Sequence, residues 1–531
     1  MTNMFVREVV MGAGSSYTEN GAISYGSFGS NIMNQFGKAG VYRGRDIGDV
    51  FAEQSALWAE DAETALRFPF YLRMITRKDK AMGGNETETV QRGQGNRDEA
   101  FKRLLWIALY QPEVFYKNLW VLPIVGSWKD LWVMLSMNNG LKKEEFFKVM
   151  AEGINDEYHR ELVKKYMPRI RSNSKCKTEW AKKTNELAKE FAAFAGWTPK
   201  EYRLFKSTGK AHEFQRYICS GLYSRLNFNA IPGKALLNLV SGKFLDNHKL
   251  NDKYLEWLAK QPMAKFNGYA FELGRKIKGQ HVLKPSVKMT VDKQFDNLIA
   301  TAKSDNGGIK GNVWCALDTS GSMTWEDLDN SGTTAYDVCV SLGIYFSTLN
   351  EGAFHKNVIM FDNVSSVKQL SGNFTDMYQQ ITTSRTAWGG TNFQSVIDEI
   401  VRIRKTNPNI PLADFPTTLL VVSDMQFNPV GGNRQTNYEA VMSKLAEVFP
   451  QEWCKDFKMV WWYCSNRTTS DFPSNMDCGG TYMVSGYDGS IISFILGGEE
   501  VNPETGQKVT PTMEEVISKA LTQEVLNFLS L

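Results

Sequence analysis

Histidine is scarce in this chain, with five among 531 residues and no H-x-x-x-H pair. The seven cysteines (Cys176, Cys219, Cys315, Cys339, Cys454, Cys464 and Cys478) are scattered and never spaced C-x-x-C. A transition-metal enzyme or a structural zinc site needs clusters of such ligands, so both are set aside. An odd number of scattered thiols fits a reducing, cytoplasmic setting better than a disulfide framework. No apolar run approaches the ~20 residues of a membrane span. The opening Met1–Phe5 lacks the apolar stretch of a signal peptide, and no membrane partner is expected. No Walker loop, nucleophile–His–acid set or paired-carboxylate arrangement stands out, so the expectation is a protein that is not an enzyme. What is present, 42% apolar and 22% charged residues, is the composition of a globular chain long enough for two or three domains.

A net charge of +3 conceals a division. Residues 306–531 hold 14 Lys and Arg against 25 Asp and Glu, while residues 1–305 hold 47 against 33. Such asymmetry points to a polyanion-binding part joined to an acidic part. It also fits two halves that attract each other.

Residues 1–45 are rich in Gly, Ser, Asn and Tyr and read as a flexible arm lying over the body. Over 46–305, apolar residues recur at helical spacing, as in Leu104, Leu105, Ile107 and Ala108 or Leu131, Trp132 and Leu135. Pro112, Pro123, Pro168, Pro232 and Pro262 cut this region into pieces of helix length. An all-α, HEAT-like stack of helix pairs is predicted, although no repeat of fixed period is visible. From 306 onward the pattern changes. Val313–Leu317, Val358–Phe361, Thr418–Val422, Met459–Tyr463 and Thr481–Val484 are short apolar runs separated by amphipathic stretches. This alternation predicts an α/β, doubly wound parallel sheet over 306–531.

The acidic half carries the sharpest motif. Asp318-Thr319-Ser320-Gly321-Ser322 follows one apolar run, Gly389-Gly390-Thr391 precedes a helix-like stretch, and Ser423-Asp424 ends another run. Asp318, Ser320, Ser322, Thr391 and Asp424 then offer two carboxylates and three hydroxyls at strand ends and helix starts. A hard divalent cation, Mg²⁺ or Mn²⁺, prefers such oxygen ligands. Each motif alone is an ordinary turn or helix cap, but the three together are specific. The set resembles the metal-ion-dependent adhesion site of von Willebrand factor A domains, which are Rossmann-like, and all five of the positions that resemblance expects are filled. It implies a metal with an open position that an acidic group of a protein ligand can fill, and it does not imply catalysis.

The helical half is basic. Lys164, Lys165, Arg169, Arg171, Lys175 and Lys177 crowd one segment, with Tyr166 and Trp180 interleaved. Cations neutralise phosphates and aromatics stack on unpaired bases, so this segment is a candidate RNA contact. Arg73, Arg77, Arg92 and Arg97 surround a Gly-rich turn, Gln91–Arg97, in which Gly93 and Gly95 could admit a phosphate. Lys206, Lys210 and Arg216 extend the set. Ser127 and the pair Trp128 and Trp132 read instead as a helix cap and core.

Phe70-Tyr71-Leu72-Arg73, the R-G-x-G-x-R-D element at Arg92–Asp98 and the I-V-G-S-W-K-D-L-W element at Ile124–Trp132 resemble the TROVE region of Ro autoantigen-type proteins. They are closer still to a Ro-like family that pairs such a region with a C-terminal A domain. Glu19-Asn20-Gly21-Ala22, Glu201-Tyr202-Arg203 and Ile231-Pro232-Gly233-Lys234-Ala235 fit as well. The resemblance implies a ring of helical repeats closed by the A domain, binding small structured or misfolded RNA as a ribonucleoprotein. The helical region, 46–305, is short for a closed ring, which leaves an open arc as the alternative. Against the RNA-binding scaffold stands a second function, a metal-dependent protein–protein adaptor that binds no RNA.

Overall fold

Five of the six strands of the principal sheet are the apolar runs, each extended by a residue or so. In chain order they are β1 (Val313–Asp318), β2 (Asn357–Phe361), β3 (Ser365–Gln369), β4 (Thr418–Ser423), β5 (Lys458–Tyr463) and β6 (Thr481–Ser485). The order across the sheet is β6-β5-β4-β1-β2-β3. Every pairing is parallel except β2 with β3. Strands β1, β4, β5 and β6 are buried along their whole length, as strands covered on both faces must be. The strand not expected from sequence is β3, Ser-Ser-Val-Lys-Gln. It is an edge strand with little buried surface and carries the lysine that discourages edge pairing. The computed structural model describes residues 15–80, 88–208, 213–304, 311–325, 327–328, 332–384, 389–430, 435–467, 471–496, 500–501, 508–509 and 511–531.

Two compact units divide the chain. The first contains residues 1–44 and 232–520; the second contains 45–231 and 521–531.

In the first unit, helix Ala335–Leu349 starts at a capping box of Thr334 and Asp337 and lies against β1. A Cβ on Gly343 would fall 2.5 Å from the Leu317 side chain, so glycine sets that approach. Helices of residues 233–304 also belong here. In Pro285–Ser304, Asp292 accepts hydrogen bonds from the Thr375 amide and hydroxyl at 2.9 and 3.1 Å, and Phe295 meets Phe374 with ring centroids 4.5 Å apart. Of the Gly/Ser-rich segment expected as a flexible arm, residues 1–14 lie outside the described residues. The rest forms a hairpin, Ser15–Tyr17 with Ile23–Tyr25, and a helix, Asn31–Lys38. Tyr25 exchanges two backbone hydrogen bonds of 2.8 Å with Phe472, and Gly37 lies against Met483 of β6. Composition alone misses this because the apolar partners, Phe472 and Met483, lie near the opposite end of the sequence.

The second unit is helical. Successive helices Ile47–Glu60, Ala62–Arg73 and Arg97–Tyr110 pack on one another, and further helices run from Pro112 to Cys219. One departure from the all-α expectation is a charged hairpin, Ile75–Lys80 paired antiparallel with Glu88–Gln94. Its strands are dominated by charged and polar residues, which read in sequence as a solvated face. The unit holds 31 Lys and Arg against 25 Asp and Glu, so much of the basic excess of residues 1–305 lies in the first unit instead.

Candidate metal centre and nucleic-acid interface

The order of the sheet reverses between β1 and β4, because the chain leaves β1 toward β2 and β3 and returns on the other side to β4. At such a switch point the loops at the carboxyl ends of adjacent strands diverge and leave a crevice. Asp318 ends β1 and Asp424 directly follows β4, so both carboxylates stand at this crevice. Asp318 is fully buried, and Asp424, Ser320 and Thr391 are each 1% exposed.

Hydrogen bonds fix the loops. Asp318 Oδ1 accepts from the Ser320 amide at 2.9 Å, and Oδ2 accepts from the Ser423 hydroxyl at 2.5 Å. The Ser320 and Ser322 hydroxyl oxygens lie 3.2 Å apart. Thr391 is held from both sides of its peptide: its amide donates to Asn428 Oδ1 at 3.3 Å, and its carbonyl accepts from the Asn428 amide at 2.8 Å. Asn363 Oδ1 accepts from the Gly390 amide at 2.8 Å. Met425, directly after Asp424, sits in the left-handed region at φ 62°, a conformation that costs a non-glycine residue about 1–2 kcal/mol. The structure therefore brings the β1 and β4 loops and the Gly389–Thr391 loop together.

Electrostatically the site is unsatisfied. Asp424 Oδ1 accepts from the Gln426 amide at 3.3 Å, but Oδ2 is buried with no hydrogen-bond partner. Burial, and then the neighbouring Asp424 carboxylate, push the Asp318 carboxyl up to about 7; bonds from Ser320 and Ser423 act against this. Burial also raises Asp424, while the Ser322 hydroxyl, the Gln426 amide and Arg467 hold it down. An orphaned carboxylate oxygen beside a second buried carboxylate and the Ser320 and Ser322 hydroxyls, with Thr391 in the adjoining loop, is a donor set that a divalent cation fits. No cluster of three or more His, Cys, Asp or Glu able to hold a metal occurs among the described residues, so hydroxyls have to complete this set.

Stability without a cation should depend on pH. The folded state keeps the Asp318 proton to higher pH than the unfolded state, so its contribution is fully present below ~pH 4 and is lost as pH rises toward 7. Urea denaturation in chelator is expected to give lower stability at pH 8 than at pH 5, and Asp318→Asn should remove most of the difference. An equal dependence in the variant would assign the effect to other groups.

In the helical unit the predicted RNA contacts separate into two groups. Around the Gly-rich turn, Arg73 and Arg97 are engaged within the fold. Arg73 is 5% exposed and pairs with the buried Asp130 at 2.6 Å, and Arg97 reaches the other oxygen of that carboxylate at 3.3 Å. The Arg92 amide donates to Gln523 at 2.8 Å. Arg77 lies on the strand Ile75–Lys80. Gly93 approaches the chain's own backbone, since a Cβ there would meet the Met74 carbonyl at 2.5 Å, and Gly95 has φ +61° and donates to the same carbonyl. The turn thus serves the fold, as does the Ser127–Asp130 capping box with Trp128 and Trp132 buried behind it.

The second group is at the surface. Tyr202 donates to the Pro168 carbonyl at 2.9 Å and the Arg171 amide donates to Asn185 at 2.8 Å, which pins the segment that carries the cations. Lys165, Arg169, Arg171, Lys175 and Lys177 are exposed along it, and Trp180 is 42% exposed. Tyr166 is half-buried under Lys165, whose Nζ lies 4.8 Å from the ring centroid. Lys164 is turned inward, paired with Glu161 at 3.0 Å and placed over Phe205. Lys206 donates to the Lys164 carbonyl at 3.0 Å, and burial, then Arg169, push its ammonium down to about 8. Arg216 is exposed on Glu213–Cys219, and Lys210 lies outside the described residues.

Comparison with known proteins adds a family match and a relative. Residues 313–527 match a family model described as a domain of unknown function, DUF7788; the match begins at β1 and spans all five candidate ligands. An uncharacterized protein, L728 of Acanthamoeba polyphaga mimivirus, is 23% identical over 533 residues, covering 92% of this chain and 86% of the viral protein. No helix among the described residues is long and apolar enough to cross a membrane.

Proposed function

We propose that this protein is a non-enzymatic RNA-binding scaffold of the Ro-like type, in which the helical unit holds small structured or misfolded RNA and the α/β unit carries a divalent-cation site of the von Willebrand factor A kind. The observation that carries the RNA reading is a contrast within one unit. Arg45, Arg67, Arg73, Arg97, Lys102 and Arg103 all face carboxylates within the fold. Arg169, Arg171, Lys175 and Lys177 lie close together in one segment, exposed and without an ion pair among the described residues. Concentrated charge that the fold leaves uncompensated favours an external polyanion. Trp180 beside it supplies a face on which an unpaired base can stack. The cation, Mg²⁺ or Mn²⁺, would be held by Ser320 and Ser322, with Asp318, Thr391 and Asp424 direct or through water. When bound it neutralises the carboxylates and offers a Lewis-acidic position to an acidic group of a partner protein.

Each phosphate neutralised on a single strand contributes a slope of about −0.7 to log K against log salt. Replacing Arg169 and Arg171 together with Ala is expected to weaken binding across sequences and to flatten the slope by about one to two units. Sequence preference should hold, since phosphate contacts position the RNA and base contacts specify it. Lys143→Ala is the contrasting variant, because Lys143 is a surface cation of the same unit but pairs with Glu190 at 2.7 Å. Equal loss of affinity in both variants would contradict the assignment. The adaptor reading gains support from Trp325, a tryptophan 68% exposed just after Ser322 in the same loop. A protein whose carboxylate-bearing partner binds only with Mg²⁺, and which ignores RNA at low salt, would establish it instead.

A further inference from the structure

The loop after β4 is gripped by the tip of the N-terminal hairpin. Thr18 donates to the Phe427 carbonyl at 2.7 Å, the Glu19 amide to Gln426 Oε1 at 2.6 Å, and Asn20 Nδ2 to the Gln426 carbonyl at 2.5 Å. Gln426 in turn donates to Asp471 at 2.9 Å. These contacts place the tip beside Asp424. The Glu19 side chain extends from there to Arg467, with Oε2 2.5 Å from the guanidinium, and Arg467 lies over the Trp325 ring at 5.7 Å. Arg467 follows β5, the strand beside β4, so its charge falls at the same end of the sheet as the crevice.

Docking of the hairpin does not require this ion pair, because three hydrogen bonds from Thr18 and Asn20 and from the Glu19 backbone already supply it. The charges have a separate effect. A cation entering between Asp318 and Asp424 meets the repulsion of Arg467, and that repulsion is offset by Glu19. Neither residue has to touch the cation to do this, since charges interact over several ångströms; the Arg467 side chain is 14% exposed, and the Glu19 side chain, 55% exposed, is screened more.

We propose that Arg467 and Glu19 form a control pair for the cation site: Arg467 disfavours a bound cation, and Glu19, delivered by the N-terminal hairpin, cancels that effect and makes the site competent. The inference rests on the cation reading above. It adds that cation affinity depends on a segment from the far end of the sequence, so that displacing the hairpin tip would lower affinity without altering any ligand.

Mn²⁺ titration of the full-length protein, with free Mn²⁺ counted by electron paramagnetic resonance, tests it. Glu19→Gln, which keeps the shape and backbone contacts, is expected to weaken Mn²⁺ binding by about three- to tenfold. Arg467→Gln is expected to tighten it by a similar factor, and the double variant to return near the wild-type value. Single variants with unchanged affinity, or both weaker, would overturn the proposal, the second because it signals damage to the loop and not a charge effect. A wild-type protein that binds no Mn²⁺ would overturn the cation reading itself and this proposal with it.

Discussion

Replacing Asp424 with Asn is expected to stabilise the metal-free protein and to abolish its response to Mg²⁺. Two carboxylates buried at adjacent strand ends repel each other, and Asp424 Oδ2 has no hydrogen-bond partner to offset its burial. An amide of the same shape removes one charge and leaves the Gln426 contact available. In chelator the variant should melt higher, by roughly 1–2 °C for each kcal/mol of repulsion relieved in a unit of this size. Added Mg²⁺ should stabilise the wild type and leave the variant unchanged. At a hundred times its dissociation constant a ligand that binds only the folded state contributes about 2.7 kcal/mol, and this should appear in the wild type and vanish in the variant. Differential scanning calorimetry with and without Mg²⁺ reads both effects. A variant less stable than the wild type in chelator would mean that the Asp424 charge is satisfied by the fold.

Arg73→Ala is expected to be among the most damaging single substitutions in the helical unit. Asp130 is completely buried and its two oxygens face Arg73 and Arg97, while its Oδ2 also accepts the Ser127 amide at 2.9 Å as part of the helix cap. Removing Arg73 leaves a buried carboxylate with only the half-exposed Arg97 as a cationic partner. Breaking a buried pair from one side typically costs about 3–5 kcal/mol. Asp130→Ala should cost a similar amount, and the double variant less than the two losses added, because each single change already breaks the same pair. Urea denaturation followed by far-ultraviolet circular dichroism measures all three. A loss below ~1 kcal/mol, the range of exposed pairs, would contradict the buried assignment.

These two sites differ in how much of them can be read from the chain. Asp318, Ser320 and Ser322 lie in one short turn, and Asp424 follows a run of buried β-branched and leucine residues. Local pattern is therefore enough to place them at strand ends. The sheet order that puts those ends together is a property of connections, and only the alternation of strand and helix points toward it. Glu19 and Arg467 carry no local sign at all. Each is an ordinary charged residue in a polar stretch, and its position near Asp424 depends on how the hairpin pairs with Phe472. The misreading of Arg73 has a related cause. Formal charge suggests exposure, and nothing near Phe70–Arg73 in sequence announces that the carboxylate receiving it is Asp130, on a later helix. Helices of residues 233–304 are legible as helices from their spacing, but amphipathic spacing reveals an apolar face and not the partner that covers it. Their membership of the same compact unit as the sheet is therefore not visible in their spacing.

The exposed cations of Lys165–Lys177 are legible from their density in one segment, they make no ion pair among the described residues, and on them the functional account stands. The most direct test is a fluorescence-anisotropy titration of the intact protein with a labelled single-stranded RNA of ~20 nucleotides, repeated from ~50 to ~200 mM salt. The account predicts saturable binding at low salt, a steep linear fall of log K with log salt, and a flatter line for the Arg169→Ala, Arg171→Ala protein. No detectable affinity at ~50 mM salt for this RNA or for a structured one would contradict it.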